Sequence, residues 1–339
     1  MAESIVALPS GFVHRQAAHC ESGAAAALLR QAGLDISEAL AFGVGAGLFF
    51  GYVPFIKLNG FPLVTYRSRP GAILARLDKT LGCAMRCKRY RDRQRAMDEL
   101  DDMLEQGRVV GLQTSVFWLP YIPAALRFHF NAHNLLVIAR DGDDYIVSDP
   151  VMAEVVRCPA DDLCRARFAA GTLAPRGRCY YFSAVPSAAR LPAVVASAIR
   201  AVCRDMLAPV PIAGVRGMRM LARDMGRWEK KYGRRKALSA LAQLVRMQEE
   251  IGTGGAGFRF IYAAFLQEAA TLLQRPALQE HASALTAIGD GWREFAVQAT
   301  RRCKGQEDAA SVAELAAMVE QQAQREEQFF RALVATVKS

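Results

Sequence analysis

The spacing of apolar and polar positions changes once along the chain, near Pro186, and separates two halves of different character. Before that point helical and strand patterns alternate. Residues 22–32 (SGAAAALLRQA) are rich in Ala and Leu and stop at Gly33, which predicts a helix closed by a glycine. Residues 70–81 and 93–106 carry amphipathic helical spacing, and the second (RQRAMDELDDMLEQ) stops at Gly107. Four short apolar runs predict strands: Val109–Thr114, His133–Arg140, Asp144–Ser148 and Arg178–Ala184. The middle two are joined through Asp141, Gly142 and Asp143 and predict a hairpin. A leading helix followed by antiparallel strands is an α+β arrangement, expected over residues 1–186.

From Leu191 to Lys338 the pattern is helical almost throughout. LPAVVASAIRAVCRDML, the run from Val215 to Tyr232, RRKALSALAQLVRMQEEI, FRFIYAAFLQEAATLL and SVAELAAMVEQQAQREEQFFRALVATV each predict a helix, so residues 187–339 are expected to form an all-α domain, a bundle. GTGGAG, from Gly252 to Gly257, breaks two of its helices apart. Phe258, Phe260, Tyr262 and Phe265 stand at helical spacing and read as core. Arg259 and Glu268 are candidates to face a cleft between the domains.

Composition adds limits. With 339 residues, 52% hydrophobic and 22% charged, the chain is long and apolar enough for two folded domains. A net charge of +10, from 43 basic and 33 acidic residues, suggests an acidic partner. No zinc-finger spacing, aromatic RNA-binding run or long basic tail accompanies it, so nucleic acid is not the expected partner. The positive charge gathers in Arg86–Arg95 and Arg216–Lys236, either solvated faces or a docking surface for an acidic carrier protein.

Eight cysteines are scattered, and Cys83 and Cys87 alone have the spacing to share a helix face. Without a second such pair no zinc site is expected, and the set reads as reduced, small apolar residues of a cytoplasmic protein. The start, MAESIVALPSG, lacks the basic region of a secretion signal. The most apolar stretch, Ala39–Ile56, is broken by four glycines and a proline and is too short for a membrane span. Its Gly43–Gly51 part lacks the Lys-Ser/Thr ending of a phosphate loop. It reads equally as a packed core turn or as a loop whose Phe49, Phe50 and Tyr52 line a substrate channel.

The candidate chemistry lies in two segments. In HCESGAAAALL, residues 19–29, Cys20 stands at a helix start, where unpaired N–H groups and the helix dipole favour the reactive thiolate. Small residues after it let the helix pack closely. In NAHNLLVIARDGDDYIVSDPV, residues 131–151, His133 opens one hairpin strand and Asp149 closes the other. The start of the first strand and the end of the second meet at one edge of a sheet, so base and orienter become neighbours. Nucleophile, base and orienter then follow in the order Cys20, His133, Asp149.

HRQAAHCESGAAAALL (14–29), ALAFGVGAGLFFGYVPF and the His133–Asp149 hairpin resemble the N-terminal domain of the BtrH acyltransferases of butirosin biosynthesis. GVRGMRMLARDMGRWEK (214–230) and GTGGAGFRFIYAAFLQEAA (252–270) resemble the helical domain of unknown function that commonly follows it. The resemblance implies a papain-like fold. It also implies an acyltransferase that takes an acyl group from the phosphopantetheine arm of an acyl carrier protein, with no cofactor of its own and no metal. Acyl transfer would run through an acyl-cysteine to an amine of a small molecule or lipid. HNLLVI…IVSDP is also similar to the cysteine peptidase domains of bacteriocin-exporting transporters, which place an oxyanion-hole glutamine six residues before the nucleophile. That position is His14 here, while Gln16 sits four before Cys20 and is the oxyanion candidate beside the Cys20 backbone N–H. His19, His129 and Asn134 join the aromatic trio as substrate-channel candidates. A thioesterase or peptidase at the same residues, and a non-catalytic carrier-binding protein, are the alternatives. Apolar helix faces in the second half are compatible with a homodimer.

Overall fold

The computed structural model describes residues 11–58 and 60–338; MAESIVALPS, read above for a secretion signal, lies outside them. The chain forms two compact units. One takes the stretch ending at Ala41 together with Leu74–Ala188; the other takes Phe42–Ile73 together with the chain from Ala189 onward. This differs from a single cut near Pro186 in one segment, Phe42–Ile73.

The first unit is α+β. Its helices are α1 (Cys20–Gln31), the start of α2 (Glu38–Val44), α3 (Ala72–Leu81), α4 (Arg93–Glu105) and α5 (Ala160–Arg167). With β1 (Leu48–Leu58) and β2 (Phe61–Arg67) in the other unit, its own strands are β3 (Met85–Lys88), β4 (Val110–Thr114), β5 (His133–Asp141), β6 (Asp144–Ser148), β7 (Val156–Pro159) and β8 (Cys179–Phe182). They form one antiparallel sheet in the order β3-β8-β4-β5-β6-β7.

Strand alternation gives the sheet two faces. Val110, Leu112, Leu135, Val137, Val147 and Cys179 join Ala96 and Leu100 of α4 and Leu163 and Ala166 of α5 in one apolar core. The alternate positions Gly111, Asn134, Leu136 and Tyr180 belong to the other face, where α1 lies against β5 and β8. Every residue of α1 from Cys20 to Leu29 is buried, which accounts for its unbroken Ala and Leu run. The helix limits follow local chemistry. Asp92 caps α4 by accepting from the Arg95 N–H at 2.8 Å, and Gly107, at φ +71°, donates to Leu104 O at 2.8 Å to close it.

Three expectations change here. Cys83 and Cys87 share no helix face, because the basic run from Arg86 pairs with β8 as an edge strand; Cys83 is buried ahead of β3 and Cys87 is exposed on it. The glycine-rich stretch is no channel loop. It runs as the end of α2 and into β1 within the second unit, and its glycines allow close packing: a Cβ on Gly43 would lie 2.1 Å from the Phe265 ring. Arg259 does not face a cleft. It is fully enclosed and paired with Glu326 through two bonds of 2.9 Å, while Glu268 is half-buried.

Apart from the β1–β2 hairpin, the second unit is helical. It comprises the end of α2, α6 (Leu191–Met206), α7 (Gly214–Met225), α8 (Trp228–Tyr232), α9 (Arg234–Glu249), α10 (Arg259–Leu272), α11 (Ala277–Cys303) and α12 (Val312–Lys338). The hairpin belongs here because its large side chains complete this core: the Phe50 and Tyr66 rings both lie against Trp292. Phe258, Tyr262 and Phe265 are buried, and Phe260 is half-buried under the Arg293 guanidinium. No helix among the described residues is long and apolar enough to cross a membrane.

Candidate active site

Cys20 is the first residue of α1, so its backbone N–H is one of the donors that no helical carbonyl takes. The chain enters the helix through a clamp. Glu38, at the start of α2, accepts from the N–H of Ala18 at 2.9 Å, the N–H of His19 at 2.7 Å and the Ser22 hydroxyl at 3.1 Å. Burial pushes the Glu38 carboxyl above its ordinary range, against the pull of these three donors. His19 itself is the helix cap. Its ring is buried, its Nδ1 accepts from the Ser22 N–H at 3.3 Å, and it therefore serves the helix start instead of lining a channel.

Gly23 fixes how closely α1 approaches the end of β6. A Cβ there would lie 2.6 Å from the Cβ atoms of both Ala17 and Pro150, and Ala17 N–H donates to Pro150 O at 2.6 Å. Asp149 precedes that proline. Only glycine at this position of α1 lets the helix and the end of β6, with Asp149, come this near each other.

His133 and Asp149 meet as the hairpin register requires. Leu136 pairs with Ser148, so the next residue on β6's side stands near the start of β5. His133 Nε2 lies 2.7 Å from Asp149 Oδ2, with both side chains buried. This leaves the other ring nitrogen for Cys20, whose thiol is within hydrogen-bonding reach of the ring. Burial works against a charged ring. The Asp149 carboxylate, by charge and hydrogen bond, and the Cys20 thiol outweigh it and push His133 up to about 10. At neutral pH the ring holds its proton, the state that stabilises an adjacent thiolate.

A second partner for Asp149 arrives from outside the hairpin. Tyr121, on the long connection from β4 to β5, donates its hydroxyl to Asp149 Oδ2 at 2.8 Å, and the Val151 N–H donates to Oδ1 at 3.2 Å. Burial and the neighbouring carboxylate hold the Tyr121 phenol well above its ordinary value, so it stays a donor. Neither Tyr121 nor Glu38 is close in sequence to the residue it serves, and no periodicity marks them. Local spacing finds a helix start or a hairpin; it does not find a hydroxyl arriving from a loop.

The remaining candidates separate clearly. Asn134 stands beside Cys20, its Nδ2 4.0 Å from the Sγ. Gln16 is exposed and its Nε2 donates to Val151 O at 3.3 Å, so its amide is turned to the chain after Asp149 and not to an oxyanion. His14, at the position where the transporter peptidases carry glutamine, is likewise engaged, with Ser148 Oγ at 2.7 Å and Met152 O at 3.0 Å. His129 is exposed and stacked on Phe117, ring centroids 4.1 Å apart. Phe50 and Tyr52 are buried in the second unit, where the Tyr52 hydroxyl donates to Asp224 at 2.9 Å; neither lines a channel. Phe49, on β1, is half-buried in the same unit.

The assembled groups are a thiol at a helix N-terminus, an imidazole that holds a proton beside it, and a buried carboxylate that fixes the imidazole. Such a set can attack an acyl carbon and return a proton to the departing group. Residues 19–150 match the family described as butirosin biosynthesis protein H, N-terminal, and residues 161–333 match the domain of unknown function DUF4872. Among solved structures, a protein described as C39-like peptidase from Bacillus anthracis aligns over 52% of this chain and 96% of its own. The identity is 16% and the TM-score 0.37. No curated protein matches the chain.

Proposed function

The chain belongs to the DUF4872 family and carries a BtrH-type N-terminal domain with a papain-like cysteine site, and we propose that it is an acyltransferase working through an acyl-cysteine. The observation that carries this reading is the buried contact of His133 with Asp149 at 2.7 Å beside the Cys20 thiol. The acyl donor in this reading is the phosphopantetheine thioester of an acyl carrier protein, the donor chemistry of BtrH-type enzymes.

The proton that His133 holds is the one Cys20 gives up, and the resulting thiolate attacks the thioester carbonyl. The carbonyl electrons move to oxygen and return as the pantetheine sulfur leaves, taking the proton from His133. One thioester replaces another, so the first step needs little driving force. An amine of a small molecule or lipid then attacks the acyl-cysteine, His133 takes its proton, and Cys20 is released. Hydrolysis uses the same residues with water in place of the amine, and thioesterase and peptidase activity remain the competing readings.

The test is product analysis with an acyl-pantetheine thioester, with and without added primary amines. Amide formation that depends on Cys20 and exceeds hydrolysis supports transfer. Free acid as the sole product at every amine concentration overturns transfer in favour of hydrolysis. Turnover that survives Cys20→Ala removes the cysteine from the reading altogether.

A further inference from the structure

An acyl-transfer site needs a donor for the oxygen of the tetrahedral intermediate, and the glutamine candidate is turned away. Asn134 occupies a different position, on the sheet face next to α1, and is 3% exposed. Its Nδ2 donates to Ala132 O at 3.1 Å. A carbonyl oxygen only accepts, so the atom facing it must be the amide nitrogen, and this settles the orientation of the side chain. Oδ1 then faces Tyr180, whose hydroxyl donates to it at 2.8 Å. Burial holds that phenol well above its ordinary value, so it remains a donor.

Tyr180 reaches Asn134 across an intervening strand. Tyr180 on β8 pairs with Gly111 on β4, and Asn134 lies on β5 beyond it. The ring lies over Gly111: a Cβ there would come within 2.3 Å of Tyr180 Cε2. A glycine in mid-strand weakens a sheet, and its use here is to let the phenol cross. The result is an amide held at both ends, with its second N–H free to face Cys20 Sγ from 4.0 Å.

We propose that Asn134 is the side-chain donor of the oxyanion hole, acting with the backbone N–H of Cys20. A donor standing off the sulfur, and not bonded tightly to it, leaves room for the oxygen of a carbonyl whose carbon has bonded that sulfur, at about 3 Å from the donor. As the S–C bond forms, the carbonyl pair moves to oxygen and is held by these two N–H groups. As the leaving group departs with the proton from His133, the pair returns and the oxyanion is discharged. The inference rests on the nucleophilic role of Cys20 in the proposed function, but not on the identity of the acyl donor.

Two probes separate this role from a structural one. p-Nitrophenyl acetate acylates through an oxyanion, whereas iodoacetamide alkylates by displacement at a saturated carbon and forms none. In the full chain, with modification mapped to Cys20, Asn134→Ala is expected to slow acetylation about 10²–10³-fold while leaving alkylation unchanged. Tyr180→Phe, which keeps the amide but loosens it, is expected to give a smaller loss in acetylation alone. Acetylation of Asn134→Ala at the wild-type rate, or an equal fall in both reactions, overturns the assignment. Wild-type protein that takes acetyl from the ester but never an acyl group from acyl-pantetheine sinks the donor reading and leaves Asn134 standing. Wild-type protein alkylated at Cys20 but inert to both acyl donors overturns both.

Discussion

His133 sets the pH behaviour of the site. Its folded value, about 10, lies above the ordinary imidazole value of about 6.5. A raised base favours the folded state while protonated, so this stabilisation is complete below the ordinary value and disappears as pH rises through about 10. Imidazole resonances of His133 followed by NMR are expected to stay in the charged form across neutral pH, and Asp149→Asn to bring the transition down. A transition in the wild type near the free-histidine value contradicts the ion-pair account. Tyr121 acts one bond further out. Tyr121→Phe removes a hydrogen bond to a buried carboxylate and is expected to cost about 1.5–3 kcal/mol in urea unfolding, with slower acyl transfer. Unchanged stability and rate would show that the phenol is incidental. Cys20, His133 and Asp149 were legible in the sequence because each sits at the end of a locally patterned element. Gln16 was reached through a spacing taken from peptidases that the segment resembles, and such a spacing says nothing of which acceptor the amide meets; here it is Val151 O.

At the scale of elements, the β5–β6 hairpin and α1 carry the candidate site, and single glycines decide how closely they approach. The Asp141–Gly142–Asp143 turn and the apolar runs on either side of it specified β5 and β6, so their register could be anticipated. The β1–β2 hairpin was not legible, because its Phe50 and Tyr66 rings answer to Trp292, which is distant in sequence. β3 hid inside a basic run for a similar reason: its partner, β8, is far along the chain. Gly111→Val is expected to displace Tyr180, release Asn134 and reduce acylation of Cys20 while its alkylation persists. Overpacking of this kind costs about 1–3 kcal/mol. A Gly111→Val protein with full acylation activity would mean that Tyr180 does not hold the amide in place.

At the scale of the molecule, each unit has its own source of stability and its own test. In the second, Arg259, Glu326 and the Trp292 indole, which donates to Glu326 at 2.7 Å, form a closed buried network. Glu326→Gln leaves the Arg259 charge uncompensated and is expected to destabilise by about 3–5 kcal/mol in chemical unfolding. A loss below that range would mean the guanidinium finds another acceptor. In the first, Arg89 and Arg91 follow the edge strand β3 and are exposed, and in the proposed reading they would meet an acidic carrier protein. Charge reversal at both is expected to raise KM for a carrier-bound acyl group, with a weaker salt dependence, and to leave acyl-pantetheine unaffected. Equal effects on both donors would place the contact elsewhere. The central claim is that Cys20 carries the acyl group, and intact-mass measurement after mixing the protein with acyl-pantetheine tests it most directly. The account predicts an increase of one acyl group, mapped to Cys20, abolished in Cys20→Ala and discharged by an added amine. No mass increase, or one that maps to another residue and survives Cys20→Ala, contradicts it.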